Sequence, residues 1–180
     1  MTIRVALVPG VPALLPAYAS RVDPVADLRA ACLDAVRWLA GAGARVLVVA
    51  DPQGRRVATY LLSAVGAAAR EPGGAAYDAV LVVGNGSARR SEKAPGHLDE
   101  RALDFDETLG AALRSGDAAE LGELDLVLGV ELLASVTGLA VLAEHLSTRH
   151  RAEVRYEDDP FGVKYWVLTW DPEGHRPPPP

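Results

Sequence analysis

The stretch VLVVGNGSARRSEKAPGHLDERALDFD, residues 80–106, decides the fold. An unbroken apolar run, Ala79 to Val83, has the length of a strand, and it stops at a Gly-Asn-Gly-Ser corner. Beyond the charged loop, apolar residues recur at helical spacing from Asp99 to Arg114, ending in a turn at Ser115-Gly116-Asp117. Strand, loop and helix in that order form one unit of an α/β domain. Similar units read upstream. Ile3 to Val8 and Arg45 to Ala50 are strand candidates, joined by a helix with a strong apolar stripe from about Pro24 to Ala42 that closes on Gly41 and Gly43. A second helix is expected from Arg55 to Arg70, ended by the loop EPGGAAYD. Short βαβ units favour a parallel sheet. Helical segments continue to about Leu146. The apolar-rich runs Ala152 to Tyr156 and Val163 to Trp170, separated by EDDPFG, then read as an antiparallel hairpin added to the sheet. The expected fold class is α/β: a single domain over residues 1–170, with a central mostly parallel sheet flanked by helices and a C-terminal antiparallel hairpin, followed by a Pro-rich disordered tail at residues 171–180.

Composition narrows the functional classes. With 49% hydrophobic residues and 23% charged ones in 180, the chain can bury a sizeable core. A net charge of -6, with arginines scattered except for pairs such as Arg55-Arg56 and Arg89-Arg90, argues against nucleic acid and anionic membranes as partners. No apolar run approaches about 18 residues, so no transmembrane helix is expected. Pro9, Pro12 and Pro16 break the segment that otherwise resembles a signal peptide, which leaves a cytoplasmic location as the expectation. The lone cysteine suits a reducing compartment and excludes a multi-cysteine metal site. Cys32 shares helical spacing with Val25, Leu28, Ala35 and Leu39 and reads as core packing. Trp38, Trp166 and Trp170 read as core or interface aromatics, and an exposed part of the last strand would pair with a second copy, giving a homodimer.

Ligands of open α/β sheets bind beyond the carboxyl ends of the strands. That rule selects three loops: PGVPALLP (9–16), DPQGRR (51–56) and GNGSARRSEKAPGH (84–97). Gly84 and Gly86 permit a tight turn, while Ser87, Arg89, Arg90 and Lys93 offer donors to a small anionic ligand or an acidic protein partner. The loop lacks the Gly-Lys-Ser/Thr of a phosphate loop, and GAGA at 41–44 precedes its strand, so neither nucleotide fingerprint is met. The alternative for the same cations is an internal salt-bridge set with Glu92, Asp99, Glu100 or Asp104.

The order of ALVPGVPALLP, VVGNGSARR, ERALDFDETLGAALRSGD, ASVTGLAVLAEHL and YEDDPFGVKYWVLTW resembles the class III extradiol ring-cleavage dioxygenases, in particular the catalytic-subunit-like family related to protocatechuate 4,5-dioxygenase. The resemblance runs along nearly the whole chain, which is shorter than that family's, with the missing material expected between the second and third strands. It implies iron(II) held by two histidines and a glutamate, with a further histidine handling protons. The positions that match these here read Gly10 and Asp51 for the two histidine ligands, Val136 for the glutamate and Ala88 for the proton-handling histidine. The cofactor and metal-ligand expectation is therefore none, and no catalytic residue is assigned.

Two functional readings remain open. The first is a pseudoenzyme, retained as a small-ligand or protein binding module, with Asp51, Asn85, Ser87, Arg89, Arg90, Lys93 and His97 as its ligand-binding residues. The second is an enzyme of altered chemistry, a metal-dependent dioxygenase or a hydrolase, in which Asp51, Asn85, Glu92, His97 and Asp106 assemble a site. It gains weight if His97 lies within hydrogen-bond reach of a carboxylate in a cleft and fades if His97 points to solvent.

Overall fold

A computed structural model describes residues 3–18, 21–70, 76–147 and 150–172. Among these residues six strands form one sheet in the order β3-β2-β4-β1-β6-β5, with β1 at Arg4–Val8, β2 at Val46–Val49, β3 at Ala69–Arg70, β4 at Ala79–Val83, β5 at His150–Asp158 and β6 at Tyr165–Pro172. The first four are mutually parallel, β6 runs antiparallel to β1, and β5 antiparallel to β6. Every residue of β4 is buried, since helices cover both faces of the sheet there.

Alternation along the strands divides the core into two layers. Ala6, Val8, Leu81, Val83 and Val167 face α1 (Ala26–Leu39) and α2 (Pro52–Ala64). Val5, Leu7, Val80, Val82, Trp166 and Trp170 face α3 (Arg101–Ser115) and the short helices α4 (Ala118–Gly122), α5 (Leu126–Glu131) and α6 (Val136–Leu142). The α/β class and the C-terminal hairpin are as the sequence implies. Trp166 and Trp170 are core residues, the latter donating its indole N–H to the Leu113 carbonyl at 3.2 Å. Trp38 lies beneath the guanidinium groups of Arg4 and Arg155, at 5.5 and 5.7 Å.

Three expectations need correcting. The second helix spans Pro52–Ala64 rather than Arg55 to Arg70, because Asp51 and Pro52 start it earlier and Gly66, at φ +76, stops it. The chain then forms β3, a strand of 2 residues held by pairing with β2. The last strand offers no free edge: β6 lies between β1 and β5, and the edge is β5, whose charged residues and bulge around Arg155 guard it against strand addition. Asp171 and Pro172 belong to β6 rather than to a tail. Residues 173–180, and residues 71–75 of the loop ending the second helix, lie outside the described residues. Among the described residues no helix is long and apolar enough to cross a membrane.

Candidate functional site

Beyond the carboxyl ends of β1, β2 and β4, three loops converge beneath the start of α6. The approach is close. A Cβ on Gly10 would stand 3.2 Å from Val83 Cγ1 and 3.3 Å from Gly54 Cα; one on Gly84 would stand 2.9 Å from the Ser135 carbonyl oxygen, and one on Gly138 only 2.2 Å from that of Val83. Side chains at these positions would push the loops apart.

Asp51, the carboxylate of this cluster, has both oxygens engaged. Oδ1 accepts from the Gly54 backbone N–H at 2.6 Å, capping α2, and Oδ2 accepts from Ser135 Oγ at 3.1 Å. An N-cap of this kind contributes about 1 kcal/mol. Ser135 also donates its backbone N–H to the Asn85 carbonyl at 3.0 Å, so it ties the loops after β2 and β4 together. Sequence reading did not foresee Ser135 in this role, because the residue joins elements remote in the chain.

The loop after β4 is anchored around a second carboxylate. Asp106 on α3 is 2% exposed. Its oxygens accept from the Ser87 backbone N–H at 2.8 Å, from Ser87 Oγ at 2.6 Å and from Arg90 Nη1 at 2.9 Å. The other side of the Arg90 fork donates from Nε to Asp159 at 2.6 Å, in the turn between β5 and β6. Burial works against the charge on Arg90, but the hydrogen bonds to Asp159 and Asp106 outweigh it and raise the guanidinium pKa above its ordinary value. Backbone bonds complete the anchorage: Gly86 N–H to Lys164, Lys164 N–H to Ser87, Ala88 N–H to Leu132 and Arg90 N–H to Gly162. Gly86 has no room for a side chain, since a Cβ there would lie 2.4 Å from Asp106 Oδ1.

The sequence-named residues therefore fall into three groups. Asp51 and Asn85 meet through Ser135, while Ser87 and Arg90 meet through Asp106. Glu92, Lys93 and His97 are exposed at the loop's surface, His97 at φ 58. Arg90 bonds within the protein rather than facing an external anion, and its partners are Asp106 and Asp159 instead of Glu92, Asp99, Glu100 or Asp104. Asp99 instead pairs with Arg101, whose hydrogen bond holds the carboxyl at about 2. Arg89 lends charge to the neighbourhood of Asp99, and its buried Nε finds no hydrogen-bond partner among the described residues. Ala88 is 8% exposed and packed.

The positions that the resemblance aligns with iron ligands supply one side-chain donor between them, too few for the expected iron(II) site. Gly10 and Val136 have no side-chain donor atom, and Asp51 accepts from the Gly54 N–H at the α2 N-terminus and from Ser135. Among the described residues no three of His, Cys, Asp and Glu are grouped to hold a metal ion. His97 is exposed and has no hydrogen-bonded carboxylate among the described residues, which weighs against the altered-chemistry reading. No protein-family model matches the chain, and a search of curated proteins finds no match either.

Proposed function

We propose that this chain is a non-catalytic binding module with an extradiol dioxygenase-like architecture, a pseudoenzyme whose former reaction crevice now serves to join its loops. The observation that carries this reading is Asp51: the one carboxylate at the three aligned metal positions caps α2 through one oxygen and binds Ser135 through the other. Support also comes from the loop after β4, where the position matching the proton-handling histidine is the packed Ala88, beside a Ser87–Asp106–Arg90 network with no free base. The ligand is a small carboxylate- or phosphate-bearing molecule, or an acidic partner surface, drawn by Arg89 and Lys93. The single cysteine, buried in the core, suits a reducing compartment such as the cytoplasm. A homodimer belongs to the same proposal, though its contact would lie elsewhere than on β6.

The test is anaerobic iron(II) titration of the purified protein, followed by addition of 4-nitrocatechol. Expected are no saturable iron uptake and no catecholate-to-iron absorption band. One iron held per chain at micromolar concentration, with a catecholate spectrum, would overturn the proposal.

A further inference from the structure

A groove of about 770 Å³ lies away from the crevice, between α3 and the α4–α5 segment. Its floor is apolar, formed by Phe105, Leu124, Leu128 and the small faces of Ala111 and Ala112. Its rim is acidic. Asp104, Glu120, Glu123 and Asp125 all line it, against a single cation, Arg101. Arg101 is neutralised by Asp99 and by Glu131, each at 2.8 Å, so the groove keeps a net negative field. Asp104 and Glu123 have no side-chain hydrogen bond or ion pair among the described residues. One wall of the groove is closely packed: α5 lies against α3 where a Cβ on Gly129 would stand 3.0 Å from Phe105 Cζ. Beside it, α5 exposes Val127 and Val130 at 73% and 61%, three residues apart and so on one helix face. Apolar surface left uncovered and rimmed by charge marks an interaction site.

We propose that this groove docks a basic amphipathic helix of another protein. The lining residues of α3, from Arg101 to Ala112, extend over about 16 Å at 1.5 Å per residue, matching about three helical turns of a partner. Apolar side chains at i, i+3 and i+7 would cover Phe105, Leu124 and Leu128. Lysines or arginines flanking that stripe would reach Asp104 on one side and Glu120, Glu123 and Asp125 on the other. The sign is opposite to that of the anionic ligand proposed for Arg89 and Lys93, and the inference stands independently of the non-catalytic reading: iron titration tests one, peptide binding the other.

The probe is a fluorescein-labelled 14-residue helical peptide of leucine, lysine and alanine with that spacing, titrated by anisotropy in 0.15 M salt. Micromolar binding is expected, weakened at least tenfold by Asp104→Lys/Glu123→Lys and less than threefold by Asp34→Lys/Glu153→Lys, which changes the net charge equally at exposed sites off the groove. Equal weakening by both pairs, equal binding of a peptide with glutamate in place of lysine, or no binding overturns the proposal. So does a wild-type dimer that Asp104→Lys/Glu123→Lys dissociates in sedimentation, which makes the occupant a second copy. Should that variant not fold, amide shifts of the wild-type protein decide: changes confined to residues 101–112 and 120–128 support the groove, and changes elsewhere reject it.

Discussion

Replacing Asp106 with alanine is the sharpest test of the view that the β4 loop is an anchored structural element. The carboxylate is 1% exposed in its side chain and accepts three hydrogen bonds, two from Ser87 and one from an Arg90 that is itself only 15% exposed. Removing one member of such a buried pair leaves a guanidinium with only the half-exposed Asp159, plus an unpaired Ser87 N–H and hydroxyl, and costs about 3–5 kcal/mol. For a chain of this size each kcal/mol lowers Tm by about 2–4 °C, so the expected fall is roughly 6–20 °C. Glu107→Ala, an exposed neighbour on the same helix, should change stability by less than about 0.5 kcal/mol. Urea unfolding followed by circular dichroism measures both, and a parallel Arg90→Met variant allows a double-mutant cycle in which the combined loss is smaller than the sum. An Asp106→Ala protein within about 1 kcal/mol of wild type would refute the reasoning and return Asp106 to the list of carboxylates available for chemistry.

Gly138→Ala should be among the most disruptive single substitutions, at about 3 kcal/mol or more, since its methyl would meet the Val83 carbonyl oxygen at 2.2 Å; soluble yield and thermal unfolding read the outcome. Cys32 is fully buried, and burial pushes its thiol pKa well above the usual value, so it should resist iodoacetamide in the native protein and react on unfolding, as mass spectrometry would record. Burial lowers the pKa of His145, beside the edge of the Tyr77 ring, below its ordinary 6.5. Protonation then favours the unfolded chain: the stability this group contributes is full above pH 6.5 and declines as pH falls below it, and His145→Gln should remove that part of the slope. At lower pH, Asp99 at about 2 adds a contribution that is full above about pH 4 and lost as pH falls through about 2, which Arg101→Met should abolish in acid unfolding curves.

The strands were legible because β1, β2 and β4 are near-continuous apolar runs, and the hairpin because its two runs flank the Asp159-Pro160-Phe161-Gly162 turn. Other features depend on contacts that no local pattern encodes. The two residues of β3 are a strand only because β2 lies alongside. The start of α2 was readable from Asp51-Pro52, a helix-start signal, yet the same aspartate also invites a metal reading, and spacing alone does not separate a cap from a ligand. Asp106 carries a partial signal, a polar residue on the helix face that otherwise buries Ala102, Phe105, Leu109 and Leu113. Asp159 carries none, because its partner Arg90 is 69 residues away. Nor does the groove beside α3 follow from the pattern, since its acids come from α3, from α4 and from the segment joining α4 to α5.

The position of β6 bears on how the chain reaches this state. A strand drawn from the last part of the described sequence fills the gap between β1, from its beginning, and β5. During synthesis the parallel half can collapse early around α1 and α2, but β1 then presents an open, apolar edge until residues 165–172 arrive to cover it. Completing the sheet requires closing a loop that spans most of the chain, the kind of non-local pairing that slows folding. Premature termination before Tyr165 would therefore leave an aggregation-prone half-sheet rather than a smaller folded protein.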